Sequence, residues 1–381
     1  MEYRKLANIV RIIPGYAIPS NCMTGRGTPI IKITNIKADN TLDLQNTVRY
    51  NQPISSKLRK FILKSKDILV CMTGATIGKI ARQIEVGENY IVNQRVAIIR
   101  PENPDDFDYV YYALTTSAFR RYVELVGYGA AQPNISGEAI GDFRLNYDSR
   151  QEKRKTIGGM LSQYDVLIAN NNRRISILEQ MAENLYKEWF VRFRFPGHET
   201  AEFENGLPKG WNYVKLGDYA NISTGRCNRE DAEDDGIYPL FDRSQETKKS
   251  STWLKDCEAI IVPGEGTSFI PRYFCGKFNL HQRCYCVEPK QCQMGKFLFH
   301  TTMLNRIYFS YVATGATVPS LRQNNFTNMK ILMPDIKLVK KFDAIVSIFM
   351  NQQNTLKKRN ANLIKQRDML LPRLMSGKLE V

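Results

Sequence analysis

The stretch SRQEKRKTIGGMLSQYDVLIANNNRRISILEQMAENLYKEWFVRFR, residues 149–194, carries apolar side chains at alternating steps of four and three. They are Ile157, Leu161, Tyr164, Ile168, then Asn171 as the one polar interruption, Ile175, Leu178, Ala182, Leu185 and Trp189. That spacing is a heptad seam, and no Pro or Gly breaks the run between Met160 and Val191. A second stretch, residues 335–378, repeats the steps with Leu338, Phe342, Ile345, Phe349, Gln352, Leu356, Arg359, Leu363, Gln366 and Leu370. Its seam reads as wetter, with Gln352, Arg359 and Gln366 all on one heptad position. Two helices of about 40 residues with facing seams would pair into a rod about 60 Å long. Such a rod is a spacer, so the flanking segments should hold the function. Ile157, Leu161, Ile168, Ile175, Leu178 and Leu185 are the expected pairing and docking residues of the first helix. Phe342, Ile345, Phe349, Leu356, Leu363 and Leu370 are those of the second.

The flanking segments are two copies of one plan. Residues 1–148 contain short β-type runs at Thr28–Ile36, Asp67–Met72 and Tyr90–Arg100, too irregular for alternating strands and helices. Residues 195–210 read as a linker, and the plan restarts at Trp211. Lys5-Leu6 and Gly15 match Lys215-Leu216 and Gly225 at an offset of 210. Asn93-Gln94-Arg95 matches His281-Gln282-Arg283 at 188, and Gly129–Pro133 matches Gly315–Pro319 at 186. Ordered matches with a falling offset indicate a duplicated unit of one β-rich domain and one long helix. The expected boundaries are 1–148 and 211–334 for the domains, and 149–194 and 335–381 for the helices with the C-terminal tail.

The chain has 54 Lys and Arg against 38 Asp and Glu, a formal charge of +16. With no run of about 18 apolar residues and no signal-peptide pattern, that excess points to a polyanion partner, most simply nucleic acid. Residues 336–376 alone hold nine Lys and Arg against Asp343 and Asp368. Eight Cys without an export signal read as reduced thiols of a cytoplasmic chain. Cys275, His281, Cys284 and Cys286 fit no Cys-x2-Cys pairing. Cys284 and Cys286 fit two buried positions on one strand face instead, so no metal is expected.

Catalytic patterns are missing. Gly74-Ala-Thr-Ile-Gly78-Lys79 is one residue short of a phosphate-binding loop, with Ile80 where Ser or Thr would meet magnesium. It reads as a glycine turn, with Lys79 able to touch a phosphate. There is no Asn-Pro-Pro-aromatic or Asp-Pro-Pro-aromatic motif, no Gly-x-Ser-x-Gly and no His-Glu-x-x-His. What remains suits recognition. The candidate DNA contacts are Lys79, Asn93, Gln94, Arg95, Gln132 and Asn134 in the first copy, and His281, Gln282, Arg283 and Arg322 in the second. Amide side chains can pair with adenine, and Arg with guanine or phosphate. The competing reading makes the shared triplets framework, because base readers should differ between domains with different targets.

Five motifs carry a family resemblance: Met72–Lys79, Gly129–Ser136, Gln151–Lys155, Glu183–Phe190 and Leu370–Lys378. Together, and in order through both halves, they resemble the specificity subunit of type I restriction–modification systems. The resemblance implies an α+β fold, duplicated with pseudo-twofold symmetry. Two β-rich target recognition domains would be separated by two long antiparallel helices that form a coiled-coil spacer. Each domain would read one half of a split double-stranded DNA target. Two modification subunits would dock on the helices and bring S-adenosylmethionine; a restriction subunit, the motor and nuclease, would bring ATP and magnesium. This chain would bind no cofactor and catalyse nothing. The rival readings are a stand-alone DNA methyltransferase or nuclease, and a coiled-coil scaffold whose domains bind protein.

Overall fold

The structure, a computed structural model, describes residues 2–44, 46–83, 87–127 and 133–380. The chain forms two compact units, Met1–Asn171 with Lys358–Val381, and Asn172–Lys357. Each unit combines one β-rich stretch with a part of both long helices.

Strands β1 (Val10–Pro14), β2 (Thr28–Ile31), β3 (Asp67–Cys71), β4 (Ile80–Gln83), β5 (Ile91–Val92) and β6 (Val96–Pro101) frame the first unit. An antiparallel sheet has the order β1-β6-β3-β4, while β2 and β5 run parallel in a second sheet, with Ile30 opposite Ile91. Every residue of β3 is buried, because both faces of its sheet are covered. Ile68 and Val70 join the core of the helices Phe107–Thr115 and Ser117–Gly127, and Leu69 and Cys71 pack with Val96 and Ile98 on the other side. Period-two side chains between two covers give an apolar run without polar alternation.

Strands β7 (Ala220–Thr224), β8 (Tyr238–Phe241), β9 (Thr247–Ser250), β10 (Lys255–Pro263), β11 (Arg272–Leu280) and β12 (Cys284–Pro289) form one sheet of the second unit, in the order β7-β12-β10-β11-β8-β9. The duplication is visible in strand register. Val10 stands opposite Pro101 and Ala220 opposite Pro289, which are the offsets of 210 and 188 found in the sequence. Ile30 opposite Ile91 becomes Leu240 opposite Asn279 at the same offsets. Lys5 opposite Arg144 becomes Lys215 opposite Lys330, at 210 and 186. The stretch after the first helix contains a small hairpin, Phe203–Glu204 against Leu207–Pro208. Asn205 and Gly206 turn it with φ of 52° and 79°, as a two-residue hairpin loop requires.

The first long helix is Gln151–Tyr186, continued by a wider turn at Lys187–Val191, and the second is Ile336–Met375. Their 36 and 40 residues correspond to about 54 and 60 Å. On the first helix the buried or half-buried stripe follows the expected seam, from Ile157 and Leu161 through Ile168, Asn171, Ile175 and Leu178 to Ala182, Leu185 and Trp189. On the second helix the phase differs from expectation. Phe342 and Leu356 are buried and Phe349, Leu363 and Leu370 half-buried, but Gln352, Arg359 and Gln366 are exposed. The alternate position is one residue later, at Val339, Val346, Gln353, Asn360 and Arg367, and Ile345 is only half-buried. The polar members of this true seam have partners. Asn171 Nδ2 donates to Asn360 Oδ1 at 2.8 Å, and Arg367 Nη1 donates to Asp165 at 2.5 Å. As one helix advances from 165 to 171 the other retreats from 367 to 360, so the two run antiparallel in this unit.

Asp165 also accepts from Arg82 at 2.8 Å and from the Tyr112 hydroxyl at 2.7 Å, which ties both helices to the β-rich part of the first unit. Arg82 is nearly buried, reaches Asp108 at 2.6 Å and lies over the Tyr111 ring. In the second unit the join is aromatic. Phe190 meets Phe342 with ring centroids 5.2 Å apart and Phe297 at 4.9 Å, and Tyr186 stacks on His300. Among the described residues, the buried His300 Nε2 has no hydrogen-bond partner.

Both joins can be tested. Asp165→Ala removes charged hydrogen bonds from Arg82, Arg367 and Tyr112, and should cost about 3 kcal/mol in denaturant unfolding, since Arg82 keeps Asp108 and Arg367 keeps Asp368. An unchanged midpoint would show that the network does not hold the helices to the domain. Burial pushes the His300 imidazole down to about 4 from an ordinary 6.5. The unfolded chain therefore takes up this proton first as pH falls. The stability from His300 is complete above about pH 6.5 and is lost towards pH 4, at up to about 1.4 kcal/mol per unit. His300→Phe should remove that part of the acid sensitivity, read as the difference between the two pH–stability curves.

Candidate nucleic-acid interface

At one end of each β-rich sheet, three turns are tied together by the same backbone bonds. In the first unit, Met72 N donates to Arg95 O at 2.9 Å, Ile135 N to Met72 O at 2.9 Å and Gly74 N to Pro133 O at 2.9 Å. In the second, Gly264 N donates to Arg283 O at 2.8 Å, Leu321 N to Gly264 O at 2.8 Å and Gly266 N to Pro319 O at 3.1 Å. A fourth segment closes each knot. Gln94 N donates to Tyr16 O, and Gln282 N to Cys227 O, both at 2.9 Å. The glycine that starts this segment has no room for a side chain. A Cβ on Gly15 would lie 2.2 Å from Asn93 O, and one on Gly225 would lie 1.9 Å from Leu280 O. The six-residue stretch 74–79 is a glycine turn here, with Gly74 and Gly78 both at left-handed φ.

The matched triplets divide by role. Asn93 and His281 are buried, and each side chain accepts from the backbone N two residues on, Arg95 N at 3.4 Å and Arg283 N at 2.9 Å. Acceptance at His281 Nδ1 leaves the hydrogen on Nε2, and burial lowers the pKa of the ring, which favours this neutral form. These two residues shape the turn. Gln94, Arg95, Gln282 and Arg283 are exposed beside them. Gln282 Nε2 donates to Asn228 Oδ1 at 2.6 Å. Asn134 is exposed and bridges Thr73 through its backbone, and Lys79 is half-buried. Arg322 is exposed at the start of the short helix Gln323–Thr327, where its backbone N donates to Asn325 at 2.6 Å. Gln132 lies outside the described residues.

Electrostatics separates the copies. Glu265 binds both Arg283 and, at 2.7 Å, Arg243, so the second copy's triplet Arg is ion-paired. In the first copy Thr73 stands where Glu265 would be, and Arg95 faces no carboxylate within 4.0 Å among the described residues. The first copy also has a run of five cations in ten residues, Lys57, Arg59, Lys60, Lys64 and Lys66, all exposed. Their signal in the sequence is that run itself, interleaved with the buried Leu58, Phe61 and Leu63.

Cys284 and Cys286 share one buried face of β12, as their spacing suggested, while Cys275 is exposed. Among the described residues the metal-type ligand atoms that converge are those of Cys257, Cys286 and Glu288, within 4.8 Å. The Lys255 ammonium sits 2.9 Å from Glu288 and already balances that carboxylate. No helix among the described residues is long and apolar enough to cross a membrane.

The knot predicts its own sensitivity. Gly15→Ala or Gly225→Ala should each cost about 1–3 kcal/mol in thermal unfolding, because rigid backbone must shift. Gly25→Ala, with nothing within 4 Å of the new Cβ, is the neutral control.

Comparison with known proteins places this architecture. Residues 1–180 and 208–366 each match the model of the type I restriction modification DNA specificity domain. The type I restriction enzyme MjaIX specificity subunit of Methanocaldococcus jannaschii is 26% identical over 354 residues, 83% of this chain and 78% of that protein. The EcoDI specificity subunit of Escherichia coli is 28% identical over 177 residues, 45% of this chain and 39% of that one. The crystal structure of the type I restriction–modification S subunit from M. genitalium superposes with a TM-score of 0.60 at 16% identity, covering 98% of this chain and 96% of the other. With two matched domains, two sheets of common register and two long helices, the chain belongs to the type I restriction–modification DNA specificity family.

Proposed function

We propose that this chain is the subunit through which a type I restriction–modification complex reads its DNA target, each β-rich domain reading one half of a split, asymmetric sequence. The observation that carries the reading is the repeated knot. The same backbone bonds hold three turns at one end of each sheet, and beside the shared exposed Gln and Arg the neighbouring side chains differ, Thr73 against Glu265 and Ser136 against Arg322. A shared frame with unlike contents is what two readers of unlike half-sites require. Residues 1–148 and 211–334 are the reading modules, and the exposed Gln94, Arg95, Asn134, Gln282 and Arg322 are their candidate DNA contacts.

The long helices set the distance between the half-sites and carry the modification subunits. Exposed aliphatic side chains support the docking role, namely Val166 and Leu167 in the first unit and Ile177, Met181 and Ile348 in the second. The chain itself is non-catalytic and cytoplasmic. S-adenosylmethionine belongs to the two modification subunits, and ATP with magnesium to the restriction subunit. The exposed Lys357, Lys358 and Arg359 place further positive charge on the second helix.

Replacing residues 16–128 with the matching region of a relative tests the reading. Methylome sequencing of the host should show one half of the modified sequence changed and the other half and the gap unchanged. A change in both halves would show that the domains do not read separately, and loss of methylation with intact assembly would count against DNA reading altogether.

A further inference from the structure

The segment Lys57–Lys66 is fixed in place beside the first knot. Leu58 and Phe61 pack in a cluster with Ile18, Ile30 and Ile91, and Leu63 is buried on the neighbouring side. Leu63 N donates to Tyr90 O at 2.9 Å and Ile62 bridges Ile91, so the segment runs along β5, which leads directly into Asn93-Gln94-Arg95. The Phe61 ring lies 5.3 Å from the Tyr16 ring, and Tyr16 is the residue whose carbonyl accepts from Gln94. The anchored apolar residues force the interleaved cations outward, where Lys57, Arg59, Lys60, Lys64 and Lys66 are all exposed.

None of these cations has a carboxylate within reach among the described residues. The acids of this region are taken: Asp43 by Lys37, Asp67 by Arg100 and Glu88 by Arg49. Around the second knot Arg226, Arg229 and Arg322 are exposed without a carboxylate within 4.0 Å among the described residues, but other cations there are held. Lys248 is bound to Asp242 at 2.7 Å, Lys249 to the Asp234 carbonyl at 3.1 Å, and Arg243 and Arg283 to Glu265. Five neighbouring cations without carboxylate partners among the described residues repel one another; a row of phosphates offsets that repulsion and, in binding, releases the counterions condensed on DNA.

We propose that Lys57, Arg59, Lys60, Lys64 and Lys66 form a phosphate-gripping surface for the duplex DNA beside the first domain's half-site. In the second domain the stretch up to the start of β10 carries Lys248, Lys249 and Lys255, of which Lys248 and Lys255 are ion-paired. The proposal rests on the DNA-reading role above and adds where the sequence-independent part of the affinity resides. Contacts of this kind position the protein without reading bases, so the half-sites should not depend on them.

The test uses the chain assembled with its modification subunits and a duplex carrying the methylated target found in the host. Binding is measured by fluorescence anisotropy across a salt series. The variant Lys57→Gln, Arg59→Gln, Lys60→Gln, Lys64→Gln, Lys66→Gln should bind more weakly. Its slope of log affinity against log salt should be shallower by about 4.5, at roughly 0.9 for each phosphate that is no longer neutralised. The methylated sequence should stay the same. A charge-keeping variant with each Lys exchanged for Arg, and Arg59→Lys, should retain the slope, and Lys248→Gln with Lys249→Gln should change it by less than about 1. An assembled, folded five-fold variant whose slope is unchanged overturns the proposal. Loss of assembly by a variant that still folds also overturns it, because the surface would then serve a protein partner. Failure of the unaltered assembly to bind duplex would remove the DNA-reading role itself, and this proposal with it.

Discussion

The Asp165 carboxylate joins three pieces of chain that are far apart in sequence. It lies on the first long helix and accepts from Arg82 of the sheet, Tyr112 of a short helix and Arg367 of the second long helix. A half-buried carboxylate between two guanidiniums tolerates little movement, since removing a partner costs charged hydrogen bonds that water only partly replaces. The helix pair is therefore held to the first domain by directional bonds as well as by the apolar contacts of Ile157, Leu161, Leu374 and Met375. The second unit achieves the same attachment with rings, through Tyr186, Trp189, Phe190, Phe297 and Phe342. Apolar packing is less directional, and there the strictness comes from shape.

The polar pairs in the seam have a second consequence. Asn171 opposite Asn360 is a poor choice for raw stability, but a good one for register, because a slip of one heptad would break the matched amide pair and set Asn360 against Tyr164 or Leu178. If the helices measure the distance between half-sites, a fixed register is what makes that distance single-valued.

The two knots show how a frame can be copied and its contents changed. Gly15 and Gly225 cannot vary because backbone oxygens occupy the space of a Cβ. Asn93 and His281 can differ, since an amide oxygen and an imidazole nitrogen both accept the same backbone hydrogen. Charge is also free to vary. Among the described residues, Arg95 and five lysines and arginines beside the first knot have no ion pair, whereas Glu265 pairs with Arg243 and Arg283 at the second. Domains with a common scaffold can thus divide the work of holding and reading DNA unequally.

The heptad period, the two copies and their offsets were legible in the sequence, because they depend on spacing alone. Strand register then reproduced the offsets of 210, 188 and 186. Of the site, the sequence located the triplets and the glycine turns. It did not show that Asn93 and His281 face inward, since a polar side chain reads alike whether it caps a buried turn or meets a base. The phase of the second helix was undecidable for a similar reason. Its two possible stripes run through neighbouring residues of like character: Leu338 or Val339, Ile345 or Val346, Gln352 or Gln353, Arg359 or Asn360, Gln366 or Arg367. Neighbours on a helix point about 100° apart, so each stripe satisfies the same period. Only the partners choose between them. Asn171 has an amide to offer Asn360 and Asp165 a carboxylate for Arg367, and those contacts exist only once the chain has folded back on itself.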